Sequence, residues 1–145
     1  MSTIIPYLCC RDAARAMEFY AQAFGAVQTM RLADPSGRIA HAEMRIGEAP
    51  FFLSDEHPEY GVKSPTAFGG TPVMLHLNVD DVDAVMARAA SAGATIERAA
   101  QDQFYGDRTG TLHDPFGHHW MISTRKEALS SDEVERRFSD MMKGS

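Results

Sequence analysis

Residues Thr3 to Cys10 alternate with a period of two. Ile5, Tyr7 and Cys9 share one face, and Ile4, Pro6 and Leu8 the other, which predicts a strand. Pro6 has no amide to donate, so the strand is expected at a sheet edge. The rhythm then turns helical. Ala13, Ala16, Met17, Tyr20, Ala23 and Phe24 form one apolar stripe, Asp12 stands as N-cap and Gly25 as the terminating glycine. Strand patterns return over Ala26–Leu32, Ile39–Ile46 and Pro50–Leu53. In the middle one, Ala40, Ala42, Met44 and Ile46 oppose His41, Glu43 and Arg45. One small apolar face and one charged face predict a half-buried strand.

Periodicity disappears over residues 55–70, which hold Pro58, Gly61, Pro65, Gly69 and Gly70. This reads as a linker or lid loop. Thr71–Val79 is again a strand, with Met74, His76 and Asn78 on one face and Val73, Leu75 and Leu77 on the other. Asp80 or Asp81 caps a second helix with the stripe Val82, Val85, Met86 and Ala89, ended by Gly93. A short strand follows at Thr95–Arg98. A hairpin then folds about Asp114-Pro115-Phe116-Gly117, whose residues suit a β-turn. A third helix is expected over residues 128–143. Ser130 and Glu133 form its capping box, and Leu129 and Val134 its hydrophobic staple. Its narrow stripe of Val134, Phe138, Met141 and Met142 is expected to pack on the body or on a partner subunit.

The two halves repeat one order: strand, capped helix, three strands. Asp12 and Asp80 stand 68 positions apart, as do Gly25 and Gly93. The implied fold is α+β. Two βαβββ modules, residues 3–54 and 71–124, form one curved, incomplete barrel with a concave cavity, plus the C-terminal helix.

Composition narrows the function. A net charge of −6 over 145 residues argues against a broad nucleic-acid interface. The apolar runs fall far short of the ~20 residues of a membrane span. Met1 to Tyr7 lacks the pattern of a secretion signal, so a cytoplasmic location is expected. Cys9 and Cys10 are adjacent, which builds neither a disulfide framework nor a zinc site. They read as buried thiols, although Cys9 beside a histidine could be a nucleophile. Walker, GxSxG and HExxH motifs are absent.

Three segments carry a family resemblance. They are Asp12 through Phe19-Tyr20 to Phe24-Gly25-Ala26, Val79-Asp80-Asp81 through Gly93-Ala94, and Asp114-Pro115-Phe116-Gly117-His118. With the paired-module spacing, residues 3–124 resemble the vicinal oxygen chelate superfamily of glyoxalase I, bleomycin resistance proteins and extradiol dioxygenases. Phe104-Tyr105-Gly106-Asp107-Arg108 and the Ser130–Arg137 tail are similar to its PhnB-like, glyoxalase-related branch. The resemblance implies a homodimer. It also implies metal ligands at four positions, which fall here on Ile5, Phe52, Met74 and Met121. None supplies the oxygen or imidazole that zinc, nickel or iron would require. No metal ligand and no cofactor is therefore predicted, and glyoxalase I or dioxygenase activity is not expected.

What remains is a cavity with apolar walls and sparse polar groups, the usual make-up of a small-molecule site. Its expected ligand-binding residues are Tyr7, Cys9, Phe52, Met74, His76, Phe104, Tyr105, Arg108 and Met121. His41, Glu43, His76 and His119 are candidate acid–base groups, or together an off-pattern metal site. His113 and His118 flank the turn and read as surface residues. Asp107 and Arg108 read equally as a polar clamp and as a surface ion pair. Two functions follow. One is a binding protein that holds a small organic ligand without the family metal. The other is a lyase or isomerase using the cavity histidines and Glu43.

Overall fold

The computed structural model describes residues 1–144. In chain order the elements are β1 (Tyr7–Cys10), α1 (Ala13–Phe24), β2 (Val27–Ala33), β3 (Ile39–Ile46), β4 (Ala49–Asp55), β5 (Met74–Asn78), α2 (Val82–Ser91), β6 (Thr95–Asp102), β7 (Asp107–His113), β8 (His119–Arg125) and α3 (Ser131–Lys143). The strands form two four-stranded sheets of matching topology, β1-β4-β3-β2 and β5-β8-β7-β6. In each, the first strand pairs parallel with the last and the rest are antiparallel. The α+β architecture and the repeat are as the sequence predicts, and the sheets do not close into a barrel.

The N-caps form as expected: Asp12 accepts from the Arg15 amide and Asp81 from the Ala84 amide. Each module adds a second pin. Asp55, at the end of β4, accepts from the amides of Ala13 and Ile39, both at 2.6 Å. Thr124, on β8, accepts from the Val82 amide at 2.8 Å. Helices α1 and α2 pack on one another and on the sheets. Their stripes join Leu8, Ala42, Met44, Phe51, Leu53, Leu112, Trp120 and Ile122 in one core. Trp120 of β8 packs on Tyr20 and Phe24 of α1, so aromatic rings tie the second module to the first.

Several strand boundaries differ from the sequence reading: β5 is Met74–Asn78 rather than Thr71–Val79, β4 runs on to Asp55 rather than ending at Leu53, and β1 and β6 also shift. β1 begins at Tyr7 rather than Thr3, because Ile4 lies out in solvent and Pro6 offers only its carbonyl, to the Phe52 amide. β6 runs to Asp102 rather than Arg98, since β7 pairs with it through two register shifts that the polar segment does not announce. Residues 55–70 contain two short 3₁₀ turns, Pro58–Tyr60 and Pro65–Phe68. Buried Ser64 anchors them by donating to Glu56. No helix among the described residues is long and apolar enough to cross a membrane.

Candidate functional site

Strand alternation sends one set of side chains to the helices and the other to the open face. In the first module, buried Leu8, Ala42, Met44, Phe51 and Leu53 face the helices. Tyr7, His41, Glu43 and Phe52 point the other way, as expected. There the Tyr7 hydroxyl lies 2.8 Å from His41 Nδ1, and His41 Nε2 lies 2.8 Å from Glu43 Oε2. An ionised Glu43 can only accept, so Nε2 carries the imidazole proton and Nδ1 accepts from Tyr7. Phe52 closes edge-on against both rings. The result is a hydrogen-bonded carboxylate–imidazole–phenol chain on an aromatic floor. Such a chain can move a proton at the Tyr7 oxygen.

A second feature lies where the β3–β4 hairpin meets β5. A cavity of about 210 Å³ opens there, lined by Pro6, Ile46, Ala49, Pro50 and Phe51 from one module. Met74, Leu75, His76, Leu77 and Trp120 line it from the other. His76 is its one ionisable side chain. A larger hollow of about 510 Å³ is lined by Asn78, Val79, Asp80, Asp107, Thr124 and Arg125, and shares no lining residue with either group. Val79 is the one apolar side chain among its lining residues.

The other expected residues scatter. Cys9 shares a surface depression with Tyr7, Lys63, Phe68 and His118. Tyr105 and Met121 line a narrow crevice of about 100 Å³ beside β6 and β7. Phe104 packs on Tyr105 and on Phe138 of α3, and its carbonyl accepts from Arg137. Arg108 is held by Asp83 and Asp102. Neither Phe104 nor Arg108 lines the seam cavity, because α3 and the two aspartates take them. His119 does not join His41, Glu43 or His76. It stacks on His113 beside Glu97. His118 is half-buried rather than a surface residue, its Nε2 2.9 Å from the Cys9 carbonyl.

Cys9 is no ready nucleophile. Burial, with the charges of Glu56 and Asp55, pushes its thiol up to about 11. Burial lifts Cys10 as well, with Asp114 adding to it. Both thiols are protonated at neutral pH.

Residues 3–122 match the Glyoxalase/Bleomycin resistance protein/Dioxygenase superfamily. The chain belongs to this superfamily. An uncharacterized protein of Mycobacterium tuberculosis is 44% identical over 142 residues, 96% of this chain and 84% of that protein. The crystal structure of TioX from Micromonospora sp. ML1 superposes with a TM-score of 0.66 at 28% identity, covering 89% of this chain and 100% of that one. A PhnB protein from Bacillus cereus, described as a putative 3-demethylubiquinone-9 3-methyltransferase, superposes with a TM-score of 0.64 at 18% identity. It covers 85% of this chain and 99% of that one, a likeness of fold alone.

The family's metal does not fit its usual place here. Phe52 is occupied with Tyr7 and His41, Met74 lines the seam cavity and Met121 the crevice. With Ile5 they present no imidazole and no carboxylate, so no chemistry is routed through a metal at these four positions.

The sequence reading missed two groupings. One is the partnership of Tyr20 and Trp120 with Asp114, hidden because Tyr20 sits in an apolar stripe. The other is the meeting of His113, His119 and Glu97. The turn at Asp114–Gly117 was legible, and it sets His113 opposite His119. Nothing in the sequence announces Glu97.

Proposed function

We propose that this protein binds a small organic ligand at the seam between its modules, without a metal at the family positions. The observation that carries the reading is the seam cavity, with walls of Phe51, Met74, Leu75, Leu77 and Trp120 and a single ionisable group, His76. At about 210 Å³ it is smaller than the ~300–1,000 Å³ usual for drug-sized ligands. It therefore takes a ring or a branched chain, and His76 offers one hydrogen bond to a polar substituent. Met74 is 44% exposed, so the cavity is open to solvent at that wall. The protein acts in the cytoplasm as a homodimer. The apolar side chains Val27, Met30 and Leu32, exposed on edge strand β2, support the pairing.

The test is ligand-observed NMR with small aromatic and branched aliphatic fragments on chelator-treated protein. Saturable hits weakened about tenfold or more by Met74→Arg, which fills the open wall, are expected. A fragment set with no hits, or hits indifferent to Met74→Arg, contradicts the reading.

The Tyr7–His41–Glu43 chain favours a second reading, a lyase or isomerase that transfers a proton at Tyr7. On that reading a bound ligand is turned over. His41→Gln would lower kcat about 100-fold or more while binding persists. Binding without turnover of any hit leaves the first reading standing.

A further inference from the structure

At the turn end of the β7–β8 hairpin, three side chains of metal-ligating type meet, with His119 in register beside Met74 and two residues before Met121. His113 ends β7 and His119 begins β8, directly opposite in the ladder. Their rings stack with centroids 4.3 Å apart and planes 6° from parallel. Glu97 comes from β6 at a bulge: the register passes from Ile96↔Leu112 to Arg98↔Thr111 and leaves Glu97 without a partner. Bulges re-aim side chains. Here the carboxylate Oε2 stands 3.3 Å from His113 Nδ1 and 3.3 Å from His119 Nε2. One ligand atom from each residue lies within 4.8 Å of the other two.

Protons alone serve this group poorly. His119 Nε2 is buried and makes no hydrogen bond, for its approach to Glu97 is badly directed. Buried polar atoms rarely go unpaired. Both carboxylate approaches exceed the ~2.7–2.9 Å of a good charge-assisted hydrogen bond. The Glu97 spacing suits a shared cation, which both imidazoles would meet once one ring turns out of the parallel stack, because an imidazole nitrogen holds a metal near its ring plane. Tetrahedral ligands bound at ~2.0–2.2 Å stand roughly 3.3–3.6 Å from one another. Both Glu97–histidine separations already have that value.

We infer that Glu97, His113 and His119 form a binding site for a divalent transition metal of the zinc class. The ligands would be two imidazole nitrogens and one carboxylate oxygen. Glu97 is 40% exposed and His113 44%, which leaves a path for the ion and a fourth position open to water or another ligand. Imidazole favours zinc, nickel and copper over magnesium or calcium. The site lies beyond the ligand-binding reading and does not depend on it, since none of its residues lines the seam cavity.

The test uses the full untagged chain, stripped with chelator and titrated with zinc chloride alone by calorimetry. Cobalt(II) chloride gives a second readout through its visible absorption. About one ion per chain is expected, with bands of a four-coordinate cobalt site. His113→Ala and Glu97→Gln, both at partly exposed positions, should each weaken binding about 10-fold or more. Together they should abolish it, with the circular dichroism unchanged. His41→Ala and His76→Ala should leave it intact. Absence of saturable binding in the wild type would overturn the inference. So would binding that survives the Glu97→Gln/His113→Ala pair or is lost in His41→Ala.

Discussion

Asp114 accepts from the amides of Phe116 and His118, from Trp120 Nε1, and from the Tyr20 hydroxyl. It holds the turn and the aromatic core at once. Burial, with the Asp114 charge beside it, pushes the Tyr20 hydroxyl well above its ordinary range, so it stays a donor. Tyr20→Phe removes one donor from a buried carboxylate and should cost about 1–3 kcal/mol in urea unfolding. Tyr7→Phe, at a half-exposed position, should cost much less. Cys9 supplies a pH test. Its thiol titrates near 9.0 when exposed and near 11 when folded, so folding disfavours the thiolate. Its contribution to stability is full below pH 9 and is lost as pH rises through 11. Alkylation of Cys9 at pH 8 should accordingly run about a hundredfold slower than that of an ordinary thiol. At this scale the sequence was half legible. Alternation placed His41 and Glu43 on one face, while Tyr7 and Phe52 were reached through the family resemblance. It could not join Tyr20 to a residue 94 positions away.

α3 is an element whose start was readable and whose anchoring was not. Ser130 caps it by accepting from the Glu133 amide, one half of the expected capping box, while the Glu133 carboxylate accepts instead from Arg136 and Arg137. It is then held by charge as much as by its apolar stripe. Arg137 donates to the Phe104 carbonyl and to Glu127, while Phe138 meets Phe104. The chain leading to it is fixed at Gly106, whose carbonyl accepts from the amides of Lys126 and Glu127. Gly106 has φ 96°, and a Cβ there would meet the Glu127 carbonyl at 2.8 Å. Gly106→Ala should therefore cost about 1–3 kcal/mol. It should also speed trypsin cleavage at Lys126 well beyond what Arg137→Ala alone produces. At β6 the pattern failed for a different reason. Bulges break the period of two, and the strand's extension depends on β7 rather than on its own residues.

For the molecule as a whole, the repeat was the most legible feature, because two equal spacings of caps and glycines imply two like modules. The meeting of those modules was less so. The seam cavity mixes Phe51 and Trp120, from the helix-facing side, with Met74 and His76 from the other, which no single-face reading combines. Sedimentation should find a dimer, with the Met30→Glu/Leu32→Glu pair raising its dissociation constant about tenfold or more. A monomeric wild type would contradict that pairing. Trp120 is the chain's one tryptophan and it lines the seam cavity, so its emission reports on that cavity. The most direct measurement is the Trp120 emission of chelator-treated protein titrated with an aromatic fragment. A saturable change that weakens about tenfold or more in Met74→Arg is expected. Emission that does not respond, or responds equally in Met74→Arg, would contradict the binding reading.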